Sequence, residues 1–235
     1  MRSPAILPNN LLGASVNTVV VDAGHGGHDP GTQHFGFQEK NLTLDISKRL
    51  KTALQGYGLT GVMTRETDQF IGLPERPGVA NRLGADLFVS VHINANRNSN
   101  VSGAEVYYPR ESLVSRDTQW PPGIAASDIG YPSSTIKQIL WDLVLTRSRS
   151  QSRRLASSIC RSLHATLDVA CRGPKSARFV VLKESWMPAV LVEVGYVSNR
   201  EESQKLASED YRQAAASAIA DGVAAYIREQ GLQHI

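Results

Sequence analysis

Cysteine is nearly absent: the chain has only Cys160 and Cys171. Two cysteines make no disulfide scaffold, and their spacing is not that of a CxxC metal or redox motif. They read as two buried thiols; a single bridge is the alternative in an oxidising compartment. Aromatics are 6% of residues, and Trp120, Trp141 and Trp186 lie too far apart to suggest a stacking platform. Charge of one sign is also scarce. Lys plus Arg is 25 against 22 for Asp plus Glu, a net +3 with no basic tract, so no nucleic-acid partner is expected. No apolar run reaches 18 residues, which excludes a transmembrane helix. The first ten residues, broken by Pro4 and Pro8, hold no export-signal core.

What remains is a chain of 235 residues, long enough for one well-buried domain without help from metal or disulfides. Residues 1–15 read as an irregular lead-in and 16–235 as a single domain. Strands are predicted at 16–22, 59–64, 86–93, 103–108, 179–182 and 190–194. Helices are predicted at 39–55, 75–84, 134–147, through Leu155, Ile159 and Leu163 after a polar, basic break at 147–154, and at 209–229. Strand and helix alternate, and the strands at 17–22, 86–93 and 190–194 are nearly continuous apolar runs. Strands covered on both faces read this way, so the class is α/β, one sheet between helical layers. Residues 109–133 hold four prolines and little apolar periodicity. This segment reads as a long loop or lid.

Three of the apolar strands lead to a chemically capable residue. His25 follows the first in a Gly-rich loop, His92 ends another, and Glu193 lies near the end of the last. Ligands of open α/β sheets bind beyond the carboxyl ends of the strands. Glu39 opens the first helix. Two imidazoles and a carboxylate suit a catalytic zinc with an open position, and a second carboxylate can then move protons.

Four ordered stretches carry a family resemblance. Val20 to Gly31 (VVDAGHGGHDPG), Glu39-Lys40-Asn41, Ala85 to Ala95 (ADLFVSVHINA) and Met187 to Asn199 (MPAVLVEVGYVSN) resemble the motifs of zinc-dependent N-acetylmuramoyl-L-alanine amidases. The likeness runs from about residue 17 to 230. It implies a single mixed, largely parallel sheet flanked by helices on both faces. It also implies one zinc ion (Zn2+) per chain, held by His25, Glu39 and His92, with Glu193 as the catalytic carboxylate. The substrate would be peptidoglycan, cut between N-acetylmuramic acid and L-alanine. A periplasmic or extracellular cell-wall location follows, with any cell-wall-binding modules or activator outside this chain, and a monomeric state is expected.

In division-associated relatives, the region before the helix at 134–147 carries a helix that blocks the zinc. The proline-interrupted 109–133 does not show such a helix. Asp22, Asp29 and Asn94 are candidates to support the metal ligands. His28 and His34 are weaker candidates, for the metal and for substrate respectively. Arg172 or Lys175 is a candidate to meet a stem-peptide carboxylate, and His164 and His234 read as surface or packing residues. The alternatives are a zinc carboxypeptidase on an α/β scaffold and a catalytically inactive peptidoglycan-binding module. Retention of Glu193 argues against the second.

Overall fold

The computed structural model describes residues 15–110 and 134–231, with side chains described in the second span from Leu143 onward. The predicted lid therefore lies almost wholly outside the described residues. A six-stranded sheet organises the chain. Its strands are β1 (Thr18–Ala23), β4 (Thr60–Met63), β5 (Leu87–Asn94), β6 (Glu105–Pro109), β7 (Lys175–Ala177) and β8 (Ala189–Tyr196). A two-stranded hairpin, β2 (Gln33–His34) and β3 (Phe37–Gln38), stands apart. The sheet order is β4-β1-β5-β8-β6-β7. The first four strands in that order run parallel, and β6 is antiparallel to β8. The expected mixed, largely parallel sheet is present.

One face carries three long helices: α1 (Glu39–Gln55), α3 (Ser134–Leu167) and α6 (Glu209–Glu229). The stripe Leu42, Ile46, Leu50 and Leu54 puts one side of α1 against Val19, Val21 and Val91 of the sheet. Each such side chain stabilises the fold by about 1.5–3 kcal/mol on burial. The other face is thinner. There α2 (Glu75–Leu83) and the single turn α4 (Val180–Lys183) cover Val20, Phe88, Ala189 and Leu191. A further helix, α5 (Arg200–Ala207), follows β8 and is capped by the Asn199 side chain, which accepts from the Glu202 amide.

Three expectations fail. Residues 179–182 are not a strand: Phe179 precedes α4, and the edge strand is instead Lys175–Ala177, paired in parallel with β6. The two helices predicted around a basic break are one helix of 34 residues, α3. The basic run continues it because Ser148, Gln151, Ser152 and Leu155 share a buried face, and the Ser152 hydroxyl donates to the Ser148 carbonyl at 2.7 Å. Finally, Cys160 and Cys171 are disulfide-bonded, with Cα atoms 5.6 Å apart, and are not free thiols. The bond ties the end of α3 to the strand-like segment entering β7.

Candidate metal centre

The parallel register brings the chemistry to one end and one face of the sheet. On β5, Phe88, Ser90 and His92 alternate onto the thinner face. On β8, Ala189, Leu191 and Glu193 do the same, and His92 pairs with Glu193. Beyond the Ala23↔Val91 pair, β1 runs into Gly24, whose place beside His92 leaves no room for a side chain. A Cβ there would lie 2.4 Å from the His92 ring. The next residue, His25, has φ 59°, a left-handed conformation that costs a non-glycine residue about 1–3 kcal/mol. That turn swings its imidazole toward Glu39.

Glu39 sits between the two histidines. Its Oε2 lies 3.2 Å from His25 Nε2, and its Oε1 lies 3.0 Å from His92 Nδ1. The carboxylate also accepts the Thr32 and Ile93 amides, at 2.9 and 3.0 Å. As the first residue of α1 it is favoured by the positive end of the helix dipole. Burial alone would raise its pKa, but hydrogen bonds from His25 and His92 outweigh that and hold it well below the usual carboxylate range. His25 Nδ1 lies 2.8 Å from an oxygen of Asp29, which leaves Nε2 to face inward. Burial would lower the His25 pKa, but Glu39 and Asp29 together raise it.

One ligand atom from each of His25, Glu39 and His92 lies within 4.8 Å of the others. Two imidazoles and a carboxylate match the three-protein-ligand set of a catalytic zinc. Two nitrogens crowding one carboxylate is the arrangement a cation would occupy, so the residues fit one zinc ion.

Glu193 stands beside His92 on the neighbouring strand. Its Oε2 is shielded from solvent and has no hydrogen-bond partner among the described residues. Burial pushes its pKa up to about 7; His92 and His25 pull it down, while the charges of Glu39 and Glu105 add to the rise.

The other candidates separate cleanly. Asp29 supports His25, whereas Asp22 is fully buried beneath the site and binds Arg76, Thr64 and Ser90 at 2.7–3.0 Å. Asn94 accepts from the Ala95 amide. His28 packs on Phe70, ring centroids 4.2 Å apart, and His34 lies exposed on the β2–β3 hairpin. His164 Nδ1 lies 2.9 Å from the Val169 carbonyl, a packing role. Lys175 donates to Glu105 at 2.7 Å.

Two groups of residues escaped the sequence reading. Arg65 and Arg76, each at most 2% exposed, lie under the His25 loop. Arg65 donates to the carbonyls of Ala23, Gly24 and Lys40, and Arg76 to those of Ala23 and His25. For Arg65 the signal was an arginine two residues past the end of β4, at the functional end of the sheet. The second group centres on Glu105, buried opposite Glu193 and bonded by Lys175, Tyr107 and Tyr196. Burial would raise Glu105, but these donors outweigh it and hold its pKa down.

A family model described as N-acetylmuramoyl-L-alanine amidase matches residues 19–225. The chain is 36% identical over 222 residues to the N-acetylmuramoyl-L-alanine amidase LytC of Bacillus subtilis, covering 94% of this chain and 37% of that protein. It is 34% identical over 217 residues to the amidase AmiA of Escherichia coli, covering 88% of this chain and 75% of AmiA. It thus spans little more than a third of LytC but most of AmiA. Among solved structures, the amidase AmiC2 of Nostoc punctiforme aligns with TM-score 0.69 and 33% identity, covering 92% of this chain and 99% of that one. The catalytic domain of CwlV from Bacillus (Paenibacillus) polymyxa aligns with TM-score 0.71 and 30% identity, covering 91% and 99%. The family model matched over most of the chain, with AmiA 34% identical and covered to 75%, shows that the chain belongs to the N-acetylmuramoyl-L-alanine amidase family.

Proposed function

We infer that this chain is a zinc hydrolase that cuts the amide between N-acetylmuramic acid and L-alanine in peptidoglycan, releasing stem peptide from glycan. The observation that carries this reading is the convergence of His25, Glu39 and His92 beside the unpartnered carboxylate of Glu193. His25, Glu39 and His92 would hold the zinc ion, which would supply a Lewis acid to polarise the scissile carbonyl and activate water.

The chain's own residues do the rest. Asp29 fixes the His25 ring, and Glu39 is fixed by two backbone amides. Glu193, raised to about 7, is near the point where a carboxylate exchanges protons at neutral pH. Ionised, its shielded Oε2 accepts the proton of the attacking water; protonated, it returns a proton to the departing alanine nitrogen. Water exclusion around Oε2 makes both transfers local. Glu105 cannot share this work, because Lys175 and two tyrosines hold it as an anion.

Digestion of purified peptidoglycan followed by mass spectrometry of the products tests the reading. Free N-terminal alanine on the stem, lost on adding chelator, is expected. Release of a C-terminal residue would assign a carboxypeptidase instead.

The same reading places the enzyme outside the cytoplasmic membrane, in periplasm or cell wall, because its substrate lies there. The Cys160–Cys171 bond supports an oxidising compartment. Cell fractionation checks this, and recovery from cytoplasm alone would overturn it. We read the chain as a monomer, with an activator and cell-wall-binding modules belonging to other chain segments or proteins. Sedimentation at equilibrium checks the oligomeric state.

A further inference from the structure

At the end of the sheet away from the metal donors lies a cavity of about 460 Å3 whose lining includes Arg110, Arg149 and Arg153. Arg110 follows the last residue of β6. Glu105 and Pro109 are four residues apart on that strand, so the cavity starts about 13 Å from the Glu105–Glu193 pair. Arg149 and Arg153 project from one side of α3, one turn apart. Thr146, Ser150 and Ser176 add three hydroxyls to the lining.

The charge here is unbalanced. Among the described residues, no carboxylate lines the cavity. Among the described residues, none of the three guanidinium groups has an ion pair or a side-chain hydrogen bond, and Arg149 is half-buried. Unpaired like charges around one concavity repel, and an anion relieves that repulsion. Guanidinium forks match the oxygens of phosphate in pairs, and hydroxyls fill the remaining acceptor positions. Three cations are more than a single carboxylate would neutralise. Four residues of helix rise about 6 Å, so Arg149 and Arg153 present charge at a spacing close to that of successive phosphates along a polyol-phosphate chain.

We propose that the Arg110–Arg149–Arg153 cavity binds phosphodiester groups, two or three at a time, at a site independent of the metal centre. A nucleic acid is the poorer fit. Binding of single strands uses exposed aromatic faces for the bases, and Tyr108, half-buried against the core, is the only ring in the lining among the described residues. The shared chemistry is a phosphodiester, found both in soluble polyol-phosphate chains and in lipid headgroups. Such a site would hold the enzyme on a phosphate-bearing surface while the zinc end works elsewhere.

The test titrates the zinc-loaded full chain against three probes: a fluorescent glycerol-phosphate hexamer, vesicles containing phosphatidylglycerol, and a thymidylate hexamer. The glycerol-phosphate hexamer or the vesicles should bind, and the probe that binds identifies the source. Affinity should fall at least about tenfold in the Arg149→Gln/Arg153→Gln protein, since each charge-assisted hydrogen bond is worth about that factor. Zinc content and peptidoglycan hydrolysis should stay unchanged in that variant, which also shows that it is folded. With three phosphates engaged, the logarithm of the hexamer's binding constant should fall against the logarithm of salt with slope about −2. Arg110→Gln, outside α3, should weaken binding in the same direction. Three results would overturn the proposal: no binding of either phosphodiester probe, equal binding by the double variant, or thymidylate binding as tight as glycerol phosphate.

Discussion

Glu105 and Glu193 stand directly opposite each other on the antiparallel strands β6 and β8, two carboxylates on one face with opposite fates. Glu105 is held as an anion by Lys175, Tyr107 and Tyr196, while the shielded oxygen of Glu193 has no partner. Environments that drive two carboxylates apart mark which one exchanges protons. Glu193→Gln should keep its zinc and lose at least about 10²-fold in turnover, the low end for proton-transfer catalysis. Glu105→Gln should lose far less. Equal losses in the two variants, with zinc intact, would mean that the pair acts as a unit.

His92→Ala should no longer bind zinc stoichiometrically. It removes one of three donors and leaves the Oε1 side of Glu39 facing an empty space. Elemental analysis of the purified variant decides; a full complement of zinc would place the metal on other residues.

The buried pair beneath the site gives a stability prediction. Asp22 is 0% exposed and accepts from Arg76 Nη1 at 3.0 Å. Asp22→Ala leaves that guanidinium buried without its counter-charge, a loss of about 3–5 kcal/mol in unfolding free energy. Arg76 also holds the His25 carbonyl at 2.8 Å, so zinc affinity should weaken in parallel. Denaturant melts and zinc titration of the same sample measure both. A variant as stable as the parent would show that water or a shifted partner satisfies Arg76.

Asp45 links stability to pH. Its Oδ2 accepts from Arg49 at 2.9 Å within α1 and from Arg212 at 2.5 Å on α6. Burial would raise its pKa; the two arginines outweigh it, so the folded value lies below the unfolded one. The stabilisation is therefore complete above the unfolded pKa of about 3.9 and disappears as pH falls through the lower folded value. Asp45 is 36% exposed, and solvent screening limits the effect to about 1 kcal/mol or less. Asp45→Asn should lie below the parent at neutral pH and converge with it in strong acid. Melting temperatures across that range test the sign.

The metal cluster was more legible than the scaffold around it. His25 follows the end of a strand, His92 lies near the end of another and Glu39 starts a helix, where sequence punctuation is sharp. The strand at 179–182 failed because Phe179 to Leu182 is a short apolar run, and such runs do not distinguish a buried strand from a buried helical turn. The true edge strand, Lys175-Ser176-Ala177, pairs on one side only and carries no apolar signal. The basic break in α3 misled for the reverse reason. Its inward face is Ser148, Gln151 and Ser152, small or polar groups that pack without registering as hydrophobic periodicity. Arg65 and Arg76 were missed because burying a guanidinium depends on backbone carbonyls supplied by distant segments, and the position of Arg65 just past β4 was the one hint.

The position of β8 has a consequence for the order of assembly. It is the last strand in the chain, yet it lies between β5 and β6, which were made long before it. Until residues 189–196 emerge, β5 and β6 each expose an open edge, a condition that favours pairing with other chains. The metal donors are all complete by residue 92, but Glu193 arrives only with that strand. A partial chain can thus gather zinc without the carboxylate beside it. Under the proposed function, hydrolytic competence is deferred to that final insertion.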